Sequence, residues 1–155
     1  MRRKVLLLLV VVALLTEALL GGGIYAFQRA LLADQAAERM EDVAVLLLEN
    51  LVDEGLQAEV DQWADAPNER SGGYRVTVVD AQGQVLADSG AAAGEMENHL
   101  EREEVQEALH SGAGQALRDS ATTGEPQLYV AISDGSKVLR LSQTFDQIRA
   151  LQRLL

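Results

Sequence analysis

Residues 74–88 read YRVTVVDAQGQVLAD. The first six are rich in β-branched and aromatic side chains, which suit a pleated, half-buried surface. Asp80-Ala81-Gln82-Gly83 has the composition of a turn, and residues 85–87 resume the apolar run. The stretch therefore predicts a β-hairpin. Everything upstream of it carries a different period, so the hairpin marks where helix gives way to sheet.

Working toward the C-terminus, residues 89–97 are small and polar and predict a surface loop. Asn98-His99-Leu100-Glu101 has the spacing of a capping box and predicts the start of a helix. Val105, Ala108 and Leu109 would face inward on that helix, and Gly112 lies beyond its end. Three further strands are predicted, at 115–121, 128–133 and 138–143. Thr123-Gly124-Glu125-Pro126 separates the first two, and Asp134-Gly135 turns the second into the third. Thr144-Phe145-Asp146-Gln147 repeats the capping-box spacing, opening a final helix striped by Ile148, Leu151, Leu154 and Leu155.

Working toward the N-terminus, residues 68–73 predict a loop and residues 56–64 a short helix. Residues 28–54 predict a long helix. Leu32, Ala36, Met40, Val43 and Leu47 recur along it at spacings of three and four. Such a stripe serves to cover the domain, to pair with the same helix of a second subunit, or to do both with its membrane-near part facing the partner; Leu32, Met40, Val43 and Leu47 are the pairing positions.

Ahead of that helix, residues 5–27 read VLLLLVVVALLTEALLGGGIYAF, directly after Met1-Arg2-Arg3-Lys4. At about 1.5 Å per residue such a helix spans roughly 34 Å, enough for a hydrocarbon core of about 30 Å. The cations favour a cytoplasmic N-terminus, residues 1–4, and an extracytoplasmic segment, residues 28–155. The sequence thus predicts a protein of the inner (plasma) membrane, in contact with lipid through residues 5–27. A cleaved signal peptide fits the length of the first apolar run. However, no small-x-small site follows it, and apolar character resumes at Leu19, Leu20 and Ile24. Glu17 is costly at membrane depth, about 2.5–3.5 kcal/mol at the centre. Burial against a partner helix, with Gly21, Gly22 and Gly23 one turn on, would reduce that cost; the alternative is an acid near the outer interface.

The chain carries 13 basic and 24 acidic residues and no cysteine. Residues 28–155 alone hold a formal charge of −13, which disfavours nucleic acid as a partner. Lack of cysteine excludes thiolate metal sites and a Cys/His nucleophile, and two histidines offer little to a Ser/His/Asp triad. No catalytic, metal or cofactor constellation is predicted. His99, with Glu97 nearby, is a candidate for sensing pH or binding a metal; the plainer reading is that Asn98 and His99 tie a loop to a helix start. Arg118 and Arg140 are strand cations that either face an inner cavity and meet an anion or pair with acids on an exposed face. Tyr129 reads as core.

The order of elements describes an α+β fold: an N-terminal transmembrane helix and long helix leading to a PAS-like or Cache-like five-stranded antiparallel sheet with flanking helices. Its parts are a helix of the dimerisation type at 28–54, a sheet core at 74–143 and an exit helix at 145–155. Because the last residues are still helical, the chain reads as the front of a longer protein, cut before a second span.

Residues 74–132 resemble the extracytoplasmic sensor region of PhoR-type sensor histidine kinases. The matching pieces are Asp80-Ala81-Gln82-Gly83-Gln84-Val85-Leu86-Ala87-Asp88-Ser89, then Met96-Glu97-Asn98-His99, Arg118-Asp119-Ser120 and Leu128-Tyr129-Val130-Ala131. Met96-Glu97-Asn98-His99 is the specific part. Two departures stand out: Arg102-Glu103-Glu104 where that family has Arg-Pro-Glu, and a short connection at 133–137. The resemblance implies a phosphate-responsive input module of a two-component system, working as a homodimer and signalling to a response regulator. It places ATP and Mg only in a kinase region that these residues lack. A chemoreceptor, a cyclic-dinucleotide enzyme or a tethered binding protein would use the same kind of domain.

Overall fold

The computed structural model describes residues 2–65, 73–120 and 124–152. The chain divides into two compact units, Met1–Asp34 and Gln35–Leu155. One helix, α1 (Arg2–Glu49), supplies the first unit and enters the second. It is long and apolar enough to cross a membrane by length and composition, and its apolar window is wholly exposed. Gly21, Gly22 and Gly23 have nothing within 4 Å of a would-be Cβ.

The second unit orders its elements as the end of α1, α2 (Leu56–Asp65), β1 (Arg75–Asp80), β2 (Val85–Asp88), α3 (Glu103–Ser111), β3 (Ala113–Asp119), β4 (Pro126–Ser133), β5 (Lys137–Thr144) and α4 (Phe145–Gln152). The five strands make one antiparallel sheet in the order β2-β1-β5-β4-β3. The predicted α+β architecture is thus observed, with the last strand inserted at the centre of the sheet. Between β1 and β2 the register slips after Val78.

Register divides the side chains cleanly. Val76, Leu141 and Val130 lie abreast, as do Val78, Leu139 and Ile132, and all six are buried. The other face is mixed. At one end Val79, Val138 and Ala131 pack with Val105 and Ala108 of α3 in a small apolar cluster. At the other end Arg75, Ser142 and Tyr129 sit abreast, with Arg140 one row in. That polar end holds the candidate site.

Several boundaries differ from the sequence expectation. The long helix ends at Glu49, not 54, where Asn50 and Leu51 close a turn onto Leu47 and Leu48. On it, Met40 and Leu47 are 0% and 5% exposed, while Leu32 and Val43 are half-buried. Met40 and Leu47 therefore cover their own domain, while Leu32 and Val43 stay partly open. α3 begins at Glu103, with Arg102 as an N-cap that makes no side-chain bond. Asn98 does not cap it: its Oδ1 accepts from the Leu100 N–H at 2.8 Å, forming a local turn that takes the place of a capping box. Thr144 and Gln147, by contrast, do form the reciprocal box: the Thr144 N–H donates to Gln147 Oε1 and the Gln147 N–H to Thr144 Oγ1. The third predicted strand is shifted, Ala113–Asp119 in place of 115–121, and residue 121 lies outside the described residues. The loop predicted at 68–73 does too, apart from Gly73.

Gly83 and Gly135 separate two costs of replacing a glycine. Both have positive φ, +81° and +90°. A Cβ at Gly83 would also lie 2.3 Å from Asn98 Oδ1 and 2.4 Å from the Leu100 nitrogen, whereas at Gly135 it meets nothing within 4 Å. Gly135→Ala should therefore cost only the left-handed strain, about 1–2 kcal/mol. Gly83→Ala adds a backbone clash and should cost about 3 kcal/mol or more. Urea unfolding of the two variants checks the order; equal losses would remove the steric argument.

Candidate functional site

The site is built on Glu104. It lies in the first turn of α3, where an acid also suits the positive end of a helix. The helix approaches β3 closely because Gly114 permits it: a Cβ there would stand 2.3 Å from the Glu104 carbonyl oxygen. This turns the Glu104 carboxylate into the sheet, where it is fully buried.

Two arginines meet it. Arg118 on β3 donates from Nη1 to Oε2 at 2.5 Å and from Nη2 to Oε1 at 2.8 Å, a bidentate pair. Arg140 on β5 donates from Nε to Oε1 at 2.8 Å. Between these strands, Tyr129 of β4 presents its ring to both: the guanidinium carbons of Arg118 and Arg140 lie 4.1 and 4.3 Å from the ring centre. Tyr129 is buried, as expected of a core residue, and it packs against two cations. Its hydroxyl donates to Gln127 Oε1 at 2.8 Å.

Arg118, Gln127, Tyr129 and Arg140 form one wall of a cavity of about 250 Å³, also lined by Arg75, His99, Arg102 and Ser142; Glu104 lies behind that wall. Arg75 is held by the buried Asp88 through Nε and Nη2, at 3.0 and 2.8 Å to Oδ1. Asp88 further accepts from Thr77 Oγ1 at 2.7 Å and from the backbone N–H groups of Gly90 and Ala91. Arg102 is looser, 4.0 Å from an exposed Glu97.

His99 forms part of the cavity rim and is 6% exposed. Its backbone N–H donates to Gly83 O at 2.7 Å, its Nδ1 lies 2.8 Å from Glu97 O, and Asn98 Nδ2 donates to Gln82 O. The loop is thus tied to the β1–β2 turn. It is also tied to the helix start, as expected, since the His99 carbonyl accepts from the N–H of Arg102, the N-cap of α3, at 3.0 Å; the hairpin is the additional anchor. Nδ1 carries the proton, because its partner is a carbonyl.

Electrostatics follow from this packing. Burial alone would raise the Glu104 carboxyl. The hydrogen bonds from Arg118 and the charge of Arg140 outweigh it and hold the carboxyl down at about 2. Arg118 is raised in turn, chiefly by its bond to Glu104. His99 is lowered, first by burial and then by the charge of Arg140, against the Glu97 carbonyl.

The structure thus brings His99, Arg118, Tyr129 and Arg140 to one cavity. Sequence reasoning missed Glu104, Arg75 and Arg102. For Glu104 a signal existed: residues 104, 105 and 108 share one helical face, so the acid is placed among inward positions.

In sequence, no protein-family model and no curated protein matches the chain. Solved structures do share its fold. The ligand-binding domain of the Pseudomonas aeruginosa PAO1 amino acid chemoreceptor PctC, in complex with GABA, is 19% identical with a TM-score of 0.53, over 79% of this chain and 62% of that one. The sensor domain of the V. cholerae histidine kinase DctB is 14% identical with a TM-score of 0.57, over 89% of this chain and 58% of that one. The Bacillus subtilis YkuI protein, with an EAL domain and in complex with substrate c-di-GMP and calcium, is 15% identical with a TM-score of 0.53, over 75% of this chain and 32% of that one. This chain therefore spans under two thirds of each. The likeness shows a shared fold, a five-stranded antiparallel sheet with flanking helices.

Two outcomes test the electrostatics. A depressed carboxyl contributes stability that is full above its unfolded value near 4.5 and is lost as pH falls toward 2. For Glu104 that amounts to about 3 kcal/mol. Glu104→Gln should lower stability at pH 7 by about 3–5 kcal/mol, since it leaves the buried Arg140 without its counter-ion, and should flatten the acid limb. For His99 the neutral form is favoured in the fold, so stability is full above about pH 6.5 and falls as pH drops below it. His99→Asn keeps a donor for Glu97 O and should remove that fall. Melting temperatures from pH 7.5 to 2.5 check both; an unchanged profile in either variant would contradict its assignment.

Proposed function

We propose that the chain is the signal-input module of a membrane-bound sensor protein, held in the inner membrane by residues 5–27 with residues 28–155 outside. The observation that carries this reading is the polar cavity beneath α3, set in a fold shared with the sensor and ligand-binding domains of a histidine kinase and a chemoreceptor. The apolar start of α1 and its preceding cations support the membrane placement.

Within that class, the Met96-Glu97-Asn98-His99 loop and the hairpin before it favour a two-component sensor kinase of the PhoR type, possessing a homodimer, a response-regulator partner and no use for nucleic acid. ATP and Mg would serve its kinase region alone. The homodimer pairs along α1, where Leu32 and Val43 are partly exposed. A change at the cavity reaches the exit helix through the sheet: Arg140 and Thr144 lie on one strand, and Thr144 caps α4. A stimulus acts by binding one of two arrangements of α4 better than the other.

Fusing residues 1–155 ahead of the second membrane span of a reporter histidine kinase tests this. Glu104→Gln should change basal output by about fivefold or more at equal membrane abundance. Output indifferent both to Glu104→Gln and to Gly83→Ala would remove the sensor reading.

A further inference from the structure

The cavity beneath α3 differs in charge from the rest of its domain. Residues 28–155 are strongly acidic, yet four guanidinium groups line this one space, those of Arg75, Arg102, Arg118 and Arg140. Three carboxylates answer them. Asp88 neutralises Arg75. Glu104 is shared by Arg118 and Arg140. Glu97 is the third, 4.0 Å from Arg102 on an exposed side chain. Among these ion-paired groups one positive charge is left over, at Arg118 and Arg140, which share Glu104; Asp119 also lines the space, on an exposed side chain.

The position of the surplus is also defined. Arg118 spends both terminal nitrogens on Glu104. Arg140 gives Glu104 only Nε, so its Nη1 and Nη2 edge is available to a guest. Among the described residues no fully buried side-chain nitrogen or oxygen lacks a partner, so Nη1 and Nη2 keep some exposure, and Arg140 lines the space. An Arg edge matches the two oxygens of a carboxylate. The space of about 250 Å³ holds on the order of eight waters, which limits the guest to a small metabolite. Met96 and the carbon edge of Tyr129 provide a modest apolar surface beside the cations.

We infer that the cavity binds a small organic monoanion, a short-chain monocarboxylate, on the open edge of Arg140 with help from Arg102, while Glu104 stays in place as a built-in counter-ion. The inference rests on the sensor reading and names its ligand class. Glu104 sets the charge preference. Without it the same wall would hold two surplus cations and favour a dianion; with it, one negative charge completes the balance.

Calorimetric titration of the full chain in detergent micelles tests the assignment with four probes: butyrate, its neutral isostere butyramide, 4-aminobutyrate, and inorganic phosphate. Butyrate should bind at least about tenfold tighter than each of the others, and its affinity should fall as salt rises from about 0.05 to 0.5 M. Arg102→Gln, at a side chain 38% exposed, should keep the melting temperature and weaken butyrate about five- to tenfold. Should that variant not fold, the salt dependence of the natural chain stands alone as the charge test. Butyramide binding as well as butyrate, phosphate binding tighter, or no binding by any probe at about 10 mM would overturn the inference. If butyrate failed while the reporter fusion still responded to Glu104→Gln, the ligand class would fall and the sensor reading would stand.

Discussion

The structure depends on one buried carboxylate. Glu104 is brought fully out of water, a transfer that costs several kcal/mol unless charge and hydrogen bonds compensate. Arg118 and Arg140 supply three donors, from strands that are not neighbours. The pairing therefore fixes the position of α3 over β3, β4 and β5 together. An apolar cluster through Val105 and Ala108, on the same inward side of α3, adds to this. The helix is thus held by charge in its first turn and by dispersion through its middle.

This division explains why the sheet has one uniform face and one mixed face. Antiparallel pairing places every second residue on the same side, and on one side the central rows are Val, Leu and Ile, with Gln143, Asp80 and Lys137 at the ends. On the other side the run of Val79, Ala131 and Val138 gives way to Thr77, Arg140, Tyr129, Ser142 and Arg75. A cavity arises there because long cationic side chains held at fixed distances leave space that no apolar group fills. Met96 and His99 close its rim, secured by the loop that Gly83 admits against the hairpin.

Much of this was legible in the sequence. The switch from a helical to an alternating period located the sheet, and turn residues at Gly83, Gly112 and Gly135 marked its corners. The errors have physical causes. Asn98 has the spacing of a helix cap, but a short amide side chain can satisfy a nearby N–H just as well in a local turn, and that competing bond won. The α1 stripe left two uses open because an apolar face looks alike whether it meets its own sheet or another chain; only burial of Met40 and Leu47 decides. Glu104 was hidden because its meaning is non-local. Beside Arg102 and Glu103 it reads as ordinary surface charge, and the arginines that make burial tolerable lie 14 and 36 residues away.

The sharing of one acid between two bases has an evolutionary consequence. Neither arginine can drift freely, because the buried carboxylate would lose one or two of its three hydrogen-bond donors, and the acid cannot drift without stranding both cations. Descendants of this chain should therefore exchange the three positions as a block or not at all. An apolar trio at those sites would signal a lineage that kept the architecture and abandoned the cavity.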